Sequence, residues 1–372
     1  MNKTNALEGL RGTAAVLVVA FHMYLATHGQ WFGLARNGYL AVDLFFVLSG
    51  FVICAAYSRK LDRIAETRVF ILRRFGRLFP VFAVTTALYY AVSIGVASIL
   101  IHNGHSAPID IPTPAEFLAL ATMTQALNTF DHSVGNGSAW SACDEFYVYL
   151  VFAATCFAAR AKARIFAFAG LAMAGYGIAI WAAVGLGKCL SVGDCFDSTI
   201  RFGWSRCLAG FFAGALIAEF RHREIFRALR GGFAQVATFT VVVAFFIYSN
   251  RIPGLPCAAP LMFVPLVASL IEDHGPIAAV FCMRPFQFLG RISYSLYLTH
   301  AVFCLPFVSV VNARDTFGGR IAACLGFVFV CVAIARIMCE AVEIPCRARI
   351  YEWSTRSSGI STGRASTASR TD

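Results

Sequence analysis

The chain has 372 residues, 58% of them apolar and only 14% charged, with a mean hydropathy of +0.68. Soluble domains run nearer half apolar and a quarter charged, so this composition excludes a soluble globular protein and indicates an integral membrane one. The formal net charge of +11 does not point to nucleic acid, because the basic residues collect in alternate connections between apolar segments, where they set membrane orientation.

The first apolar run, 12–27, follows the lightly charged MNKTNALEGLRG. The run leads into His22 and Tyr24 with no small-residue cleavage site, so it is read as a retained span. Arg11 stands at its start and His22 within it. Ionisable groups are costly inside a bilayer, and each is therefore a functional candidate. Eleven residues return to nearly the same helical face about 16 Å further along the axis. Arg11 is expected at one membrane surface and His22 near mid-depth, which suits a long, charged-headed ligand with an inward reactive end. A neutral imidazole can take a proton from a hydroxyl and return it. It can equally serve as a hydrogen-bonding group between helices.

The second span, 38–57, carries Asp43. A basic connection follows, containing Arg59, Lys60, Arg63 and Arg68 and ending in ILRRFGRLFP before the third span, 78–101. Arg74 and Arg77 are three apart and share a helical face. Arginine forks grip phosphate with two parallel hydrogen bonds, so this pair, with Arg73 beside it, is either an anion site or a topogenic anchor. Residues 102–138, the longest loop, contain no Lys or Arg.

The fourth span, 139–158, opens on SAWSACDEFYVYLVF, where Asp144 and Glu145 adjoin a tryptophan. They suggest either a site open to the outside or an acidic helix start favoured by the macrodipole. Spans follow at 165–186, 200–220 (with Arg206), 232–249, 256–272, 287–310 (with His300 mid-span) and 321–344. Arg336, Glu340, Glu343 and Arg347 fall on one stripe of the last helix, read as mainly structural and mutually neutralising. Thirteen cysteines lie mostly in apolar segments, where they act as small hydrophobes. None has zinc-ligand spacing, so no metal is expected. Cys189 and Cys195 share one loop and are either a disulfide or two free thiols.

The connections after the second, fourth and sixth spans are basic and the opposite loops nearly bare, so both termini are expected in the cytoplasm. The expected architecture is an all-α, polytopic membrane bundle of about ten spanning helices of ~20 residues. It occupies residues 1–353. Residues 354–372, rich in Ser, Thr and Arg, are expected to be a disordered cytoplasmic tail.

These residues together resemble the acyltransferase family 3 of bacterial membrane proteins, which O-acylate cell-envelope glycans and some small molecules. The family's R-x(10)-H is met by Arg11 and His22, and its G-x-x-x-V-D-L-F-F-V-L-S-G-F by Gly38 through Phe51. R-x-x-R-L-x-P is met by Arg74, Arg77, Leu78 and Pro80, and W-S-L-S-x-E-x-x-x-Y-L by Trp140, Ser141, Glu145, Tyr149 and Leu150. G-R-I-S-Y-S-L-Y-L-x-H is met by Gly290 through His300, and E-x-P-x-R by Glu343, Pro345 and Arg347. The departures cluster in the fourth span, where Ala142, Cys143 and Asp144 replace Leu, Ser and an apolar or aromatic residue.

The resemblance implies a cytoplasmic acyl-CoA donor, most often acetyl-CoA, and no resident cofactor. Arg74 and Arg77, with Arg73, would hold its phosphates. Its pantetheine arm would pass Arg11, His22 would act as general base, and Glu145 would orient His22 or the acceptor. Asp43, Asp144, Tyr149, Arg206, His300 and Glu343 are secondary candidates. The acceptor would be a saccharide, lipid-linked or free, in or near the bacterial inner membrane. The residues alone would also fit a transporter or flippase of a glycan precursor, or an accessory subunit of an export machine.

Overall fold

The structure is a computed structural model that describes residues 4–27, 33–186, 189, 195–314 and 316–357. Every regular element among the described residues is helical. The principal helices are α1 (Asn5–Ala26), α2 (Ala41–Tyr57), α3 (Ile64–His102), α4 (Pro114–Thr122), α5 (Trp140–Ala158), α6 (Ala161–Trp181), α7 (Gly203–Phe220), α8 (Gly232–Tyr248), α9 (Ala259–Ser269), α10 (Arg284–Val302), α11 (Phe317–Met338) and α12 (Ile344–Ser357).

Seven described helices are long and apolar enough to cross a membrane unaided. An eighth is reached if Arg284–Val302 and Pro306–Asn312, which meet at 64°, form one broken span. By length and composition the described residues thus give seven or eight such helices beside the expected ten, and the residues show why. α7 dilutes its apolar run with Arg206 and Glu219, both ion-paired inside the bundle. α9 is short and carries Pro260 and Pro265. The segment expected at 287–310 bends.

The helices deliver their connections to two ends. Arg59 and Lys60 after α2, Arg221 after α7, Gln287 in the first turn of α10 and Arg347 in the first turn of α12 meet at one end around the start of α1. There Arg164 donates to the Ser58 carbonyl and pairs with Glu219 at 2.8 Å, tying α6, α2 and α7 together. At the other end Asn128 accepts from the Phe202 amide, and Asn136 donates to the Leu298 carbonyl. We call these the basic end and the bare end.

Two parallel helix pairs form the frame. α1 lies along α10, with Gly12 against Leu289 and Gly290, and His22 beside His300 ten residues further on both chains. α2 lies along α7 from Asp43–Arg206 to Cys54–Glu219. Small residues let membrane helices approach closely. Gly210 and Gly214, four apart on α7, and Gly50 on α2 make that contact. A Cβ at Gly214 would overlap the Val47 carbonyl oxygen and press on the Phe51 amide. Overpacking typically costs about 1–3 kcal/mol and occasionally more, and overlap with backbone atoms of two residues puts this site at the upper end. Gly214→Leu is accordingly expected to abolish the folded fraction in detergent thermal melts. Gly95→Leu, at a position with nothing within 4 Å, should melt like the parent.

α3 departs from expectation at its start. It has 39 residues, or about 58 Å at 1.5 Å each, nearly twice a hydrocarbon core of ~30 Å. The basic run from Arg68 to Arg77 is therefore not a loop but the first turns of this helix. α12 packs antiparallel along those turns, with Ile350 against Gly76. α12 also continues through residue 354 to Ser357, so the first four residues of the expected tail are helical. The remainder lies outside the described residues. Cys189 and Cys195 are joined as a disulfide, with the Cys257 sulfur beside them.

The long bare-end loop contains α4, which starts with Pro114 at its first turn and a reciprocal Thr113–Glu116 cap. His132 bonds the other Glu116 oxygen at 2.7 Å and Asp131 at 2.8 Å. These bonds raise the His132 pKa, lower that of Asp131, and bring Glu116 down to about 2. A raised imidazole stabilises the clasp below its unfolded value near 6.5 and loses that contribution as pH climbs through the raised one. The lowered carboxylate contributes above its unfolded value near 4.3 and fades as pH falls toward 2. Amide protection of Ala119–Thr122, taken relative to the intrinsic exchange rate at each pH, is therefore expected to be greatest between these limits and to fall above neutrality. His132→Ala should flatten the high-pH limb.

Candidate active site

At the basic end the frame helices enclose a cavity of about 1020 Å³. Its mouth is cationic: Arg59 and Lys60 beyond α2, Arg221 beyond α7, Arg291 on α10 and Arg347 on α12. Arg11 and Arg77 line its inner part and also line a second, smaller pocket of about 170 Å³. The two spaces thus share these arginines as a common wall. Arg74, Ser49, Glu145, Tyr149, Tyr294 and Tyr297 complete the inner pocket.

Each arginine is held differently. Arg77 pairs with the buried Glu343 and faces the Tyr294 ring at 4.9 Å. Ser295 donates to the other Glu343 oxygen at 2.7 Å. Arg74, one turn earlier, lies over Tyr57 at 5.4 Å and Tyr149 at 6.0 Å, and its buried Nε has no hydrogen-bond partner among the described residues. Arg73 is rotated about 100° from Arg74 and points elsewhere. It caps the Tyr351 ring at 3.9 Å and donates to Ser354 and Thr355 on α12. The expected phosphate ligand Arg73 is thus a helix–helix contact outside the cavity.

Glu145 is similarly committed. Tyr149 donates to it at 2.5 Å, and the Ser49 hydroxyl bonds Tyr149 at 2.9 Å. Since the phenol gives its proton to the carboxylate, Ser49 is the donor in the second bond. Of the two expected roles of Glu145, orienting His22 or the acceptor, the first has no contact to carry it among the described residues; Glu145 faces the inner pocket. Its neighbour Asp144 is not at an outer mouth but buried, with neither carboxylate oxygen bonded among the described residues. Asp43 and Arg206 form a buried ion pair at 2.6 Å, and Arg206 also donates to the Ser198 carbonyl. That pair fastens α2 to α7, and neither residue lines the two pockets.

α1 begins at Asn5 rather than near residue 12. Arg11 is therefore more than a turn inside its helix, and His22 lies about a turn from the bare-end terminus rather than at mid-depth. His22 meets His300, with His22 Nδ1 and His300 Nε2 3.2 Å apart. His300 is fully buried and stands 6.0 Å, ring to ring, from Tyr297 of the inner pocket. Arg11, the inner pocket and the histidine pair therefore follow one another from the basic end toward the bare end.

The charged stripe of the last helix divides. Residues Cys339–Glu343 form a π-turn, whose wider turn shifts the helical register. Arg336 and Glu340 pair outside at 3.1 Å, both exposed, while Glu343 turns inward to Arg77. Sequence spacing could not show this shift. It could have shown Tyr294 and Tyr297, which recur every three residues toward His300 on one face of α10.

Chemically, the mouth can bind a polyanion, the inner pocket can pass a slender polar arm, and the imidazole pair can accept a proton. The acyltransferase 3 model, described as an acyltransferase domain, matches residues 4–336. The chain belongs to the acyltransferase 3 family. It is 44% identical over 90 residues to a Rhizobium radiobacter protein called protein 2 in the picA locus, covering 24% of this chain and 44% of that one. It is 22% identical over 319 residues to a Staphylococcus aureus protein provisionally named an O-acetyltransferase, covering 79% and 49%. It is 34% identical over 77 residues to a Listeria monocytogenes peptidoglycan O-acetyltransferase, covering 20% and 11%. The chain spans half the length or less of these curated relatives. No solved structure matches.

Proposed function

We propose that this acyltransferase 3 chain is a membrane O-acetyltransferase. In this reading it moves an acetyl group from acyl-CoA, entering at the basic end, to a hydroxyl of a cell-envelope saccharide. The basic end faces the cytoplasm, as the positive-inside rule requires. The observation that carries the reading is the cationic cavity narrowing onto Arg11, Arg74 and Arg77 and aligned with His22. A transporter needs no imidazole base at the end of a cationic funnel, and the family is one of acyltransferases.

In this mechanism the donor's phosphates engage the guanidinium groups of the mouth and of Arg77 and Arg74, whose unsatisfied Nε supplies an open donor. The arm passes Arg11, and Glu145 and Tyr149 line its path. Arg11 to His22 is about 16 Å along α1, so the thioester carbonyl arrives near the imidazole while the head group stays at the arginines. His22 Nε2 removes the proton of an acceptor hydroxyl. The hydroxyl oxygen adds to the thioester carbon; the C–S bond then breaks, and the thiolate takes the proton back from the imidazolium. The products are an O-acetyl ester and the free thiol, and no proton is gained or lost.

Mass spectrometry of envelope glycans tests this reading. Cells making the chain should carry an acetyl mass increment on one glycan that is absent from cells lacking it. Identical glycans, with the protein present in the membrane and acetyl-CoA not bound by the purified protein, would overturn it.

A further inference from the structure

The two histidines of the bundle core make a directional hydrogen-bond relay. His300 Nδ1 lies 3.1 Å from the Leu296 carbonyl oxygen, and His22 Nδ1 lies 3.0 Å from the Val18 carbonyl oxygen. A carbonyl only accepts, so each Nδ1 carries the proton. His300 Nε2 is then a bare lone pair. It stands 3.2 Å from His22 Nδ1, where it can only accept. The Nδ1–H of His22 is thus shared between the Val18 carbonyl and His300. His22 Nε2, which takes no hydrogen bond among the described residues, is left as the basic nitrogen.

We propose that His300 is the positioning residue of His22: a buried neutral imidazole that fixes the ring's rotation and holds its Nδ1 proton. It thereby does the orienting work for which an acid such as Glu145 would otherwise be the candidate. This rests on the acyl-transfer reading above, in which His22 Nε2 is the base. When Nε2 accepts the acceptor's proton, the imidazolium charge spreads to Nδ1–H, and a lone pair already aimed at that hydrogen is preorganised for it. An orienting carboxylate does the same for the base in hydrolytic triads. Here the orienter is uncharged, which suits a residue that is 0% exposed, since an unpaired ion there would be strongly disfavoured. The packing agrees with the role. Tyr297, one turn earlier on α10, bonds Ser141 at 2.8 Å, and its ring stands 5.7 Å from that of Phe45. Gly12 and Gly290 bring α1 and α10 into backbone contact below the pair. Both ring positions are thereby fixed by the frame.

The test substitutes His300 with Leu, Asn and Gln in the full chain, reconstituted in vesicles with acetyl-CoA and a glycan acceptor. A glutamine carbonyl reaches the place of Nε2, whereas an asparagine carbonyl reaches only that of Nδ1. His300→Leu and His300→Asn are expected to lower kcat at least about 10-fold, with KM for acetyl-CoA within about 2-fold. His300→Gln should recover most of the rate. In parallel, 15N-labelled wild type should show a nitrogen–nitrogen correlation between the two imidazoles that disappears in His300→Leu. A merely space-filling role predicts that leucine is tolerated and that Asn and Gln behave alike; either result overturns the proposal. So does absence of the correlation in the wild type. If the wild type transfers no acetyl at all, the acyl-transfer reading falls and this proposal falls with it. A normal wild type with an unimpaired His300→Leu removes the proposal alone.

Discussion

Replacing His22 with alanine is expected to reduce acetyl transfer by about 10²- to 10⁴-fold, the usual contribution of a positioned general base. Folding and donor binding should survive. His22 is only half-buried and belongs to no ion pair, so its loss leaves one imidazole lone pair on His300 without a donor. An unsatisfied group of that kind costs about 1–3 kcal/mol. The donor's head group would be held about 16 Å away, at the level of Arg11. The measurement is single-turnover transfer by purified wild type and variant, with acetyl-CoA affinity measured by calorimetry on the same samples. A variant that transfers at the wild-type rate excludes His22 as base. A variant that loses donor affinity as severely as it loses rate assigns His22 to binding instead.

Much of this site was legible in the sequence, and the limits of legibility have physical causes. Arg11 and His22 were identifiable because charge in an apolar run is rare and therefore informative. Their common helix required only the 3.6-residue period. Their position along α1 is less legible, because the polar start NALEGLRG does not look like part of a span, although its turns are packed in the bundle with Ala6 and Leu7 buried. Arg74 and Arg77 stand out from Arg59, Lys60 and Arg63 by their nearness to the apolar run. Arg73 was not separable from Arg74 in composition; the 100° step between adjacent residues sends it to α12 instead. Partner choice was the least legible property. Glu145 with Tyr149 is a local i, i+4 bond, whereas His22 with His300, Arg77 with Glu343 and Asp43 with Arg206 join residues more than 160 positions apart. Local spacing does not encode such pairs. The π-turn at Cys339–Glu343 compounds the difficulty, since it breaks the periodicity from which the stripe on the last helix was read.

Arg74 and Arg77 should separate by stability, although both face the inner pocket. Arg77 is ion-paired with Glu343, which is 3% exposed and among the described residues is otherwise bonded only to Ser295. Removing one member of a buried pair strands the other charge, at a cost of about 3–5 kcal/mol. Arg77→Ala is therefore expected to lower the melting temperature sharply and to reduce yield. The neutral double substitution Arg77→Met with Glu343→Gln should restore most of that stability, because neither charge is then buried alone. It should not restore donor affinity. Arg74 has no acidic partner among the described residues, only the aromatic faces of Tyr57, Phe70 and Tyr149. Arg74→Ala should therefore shift stability by no more than about 1 kcal/mol, the scale of a partly desolvated cation–π contact. If its guanidinium grips a donor phosphate, the lost charge-assisted bonds are worth about 1.5–3 kcal/mol. That corresponds to a rise of about 10- to 100-fold in KM for acetyl-CoA, with KM for the acceptor little changed. Equal increases in both Michaelis constants would deny Arg74 a phosphate-binding role. A fully stable Arg77→Ala would show that Glu343 is neutral or otherwise compensated in the folded protein.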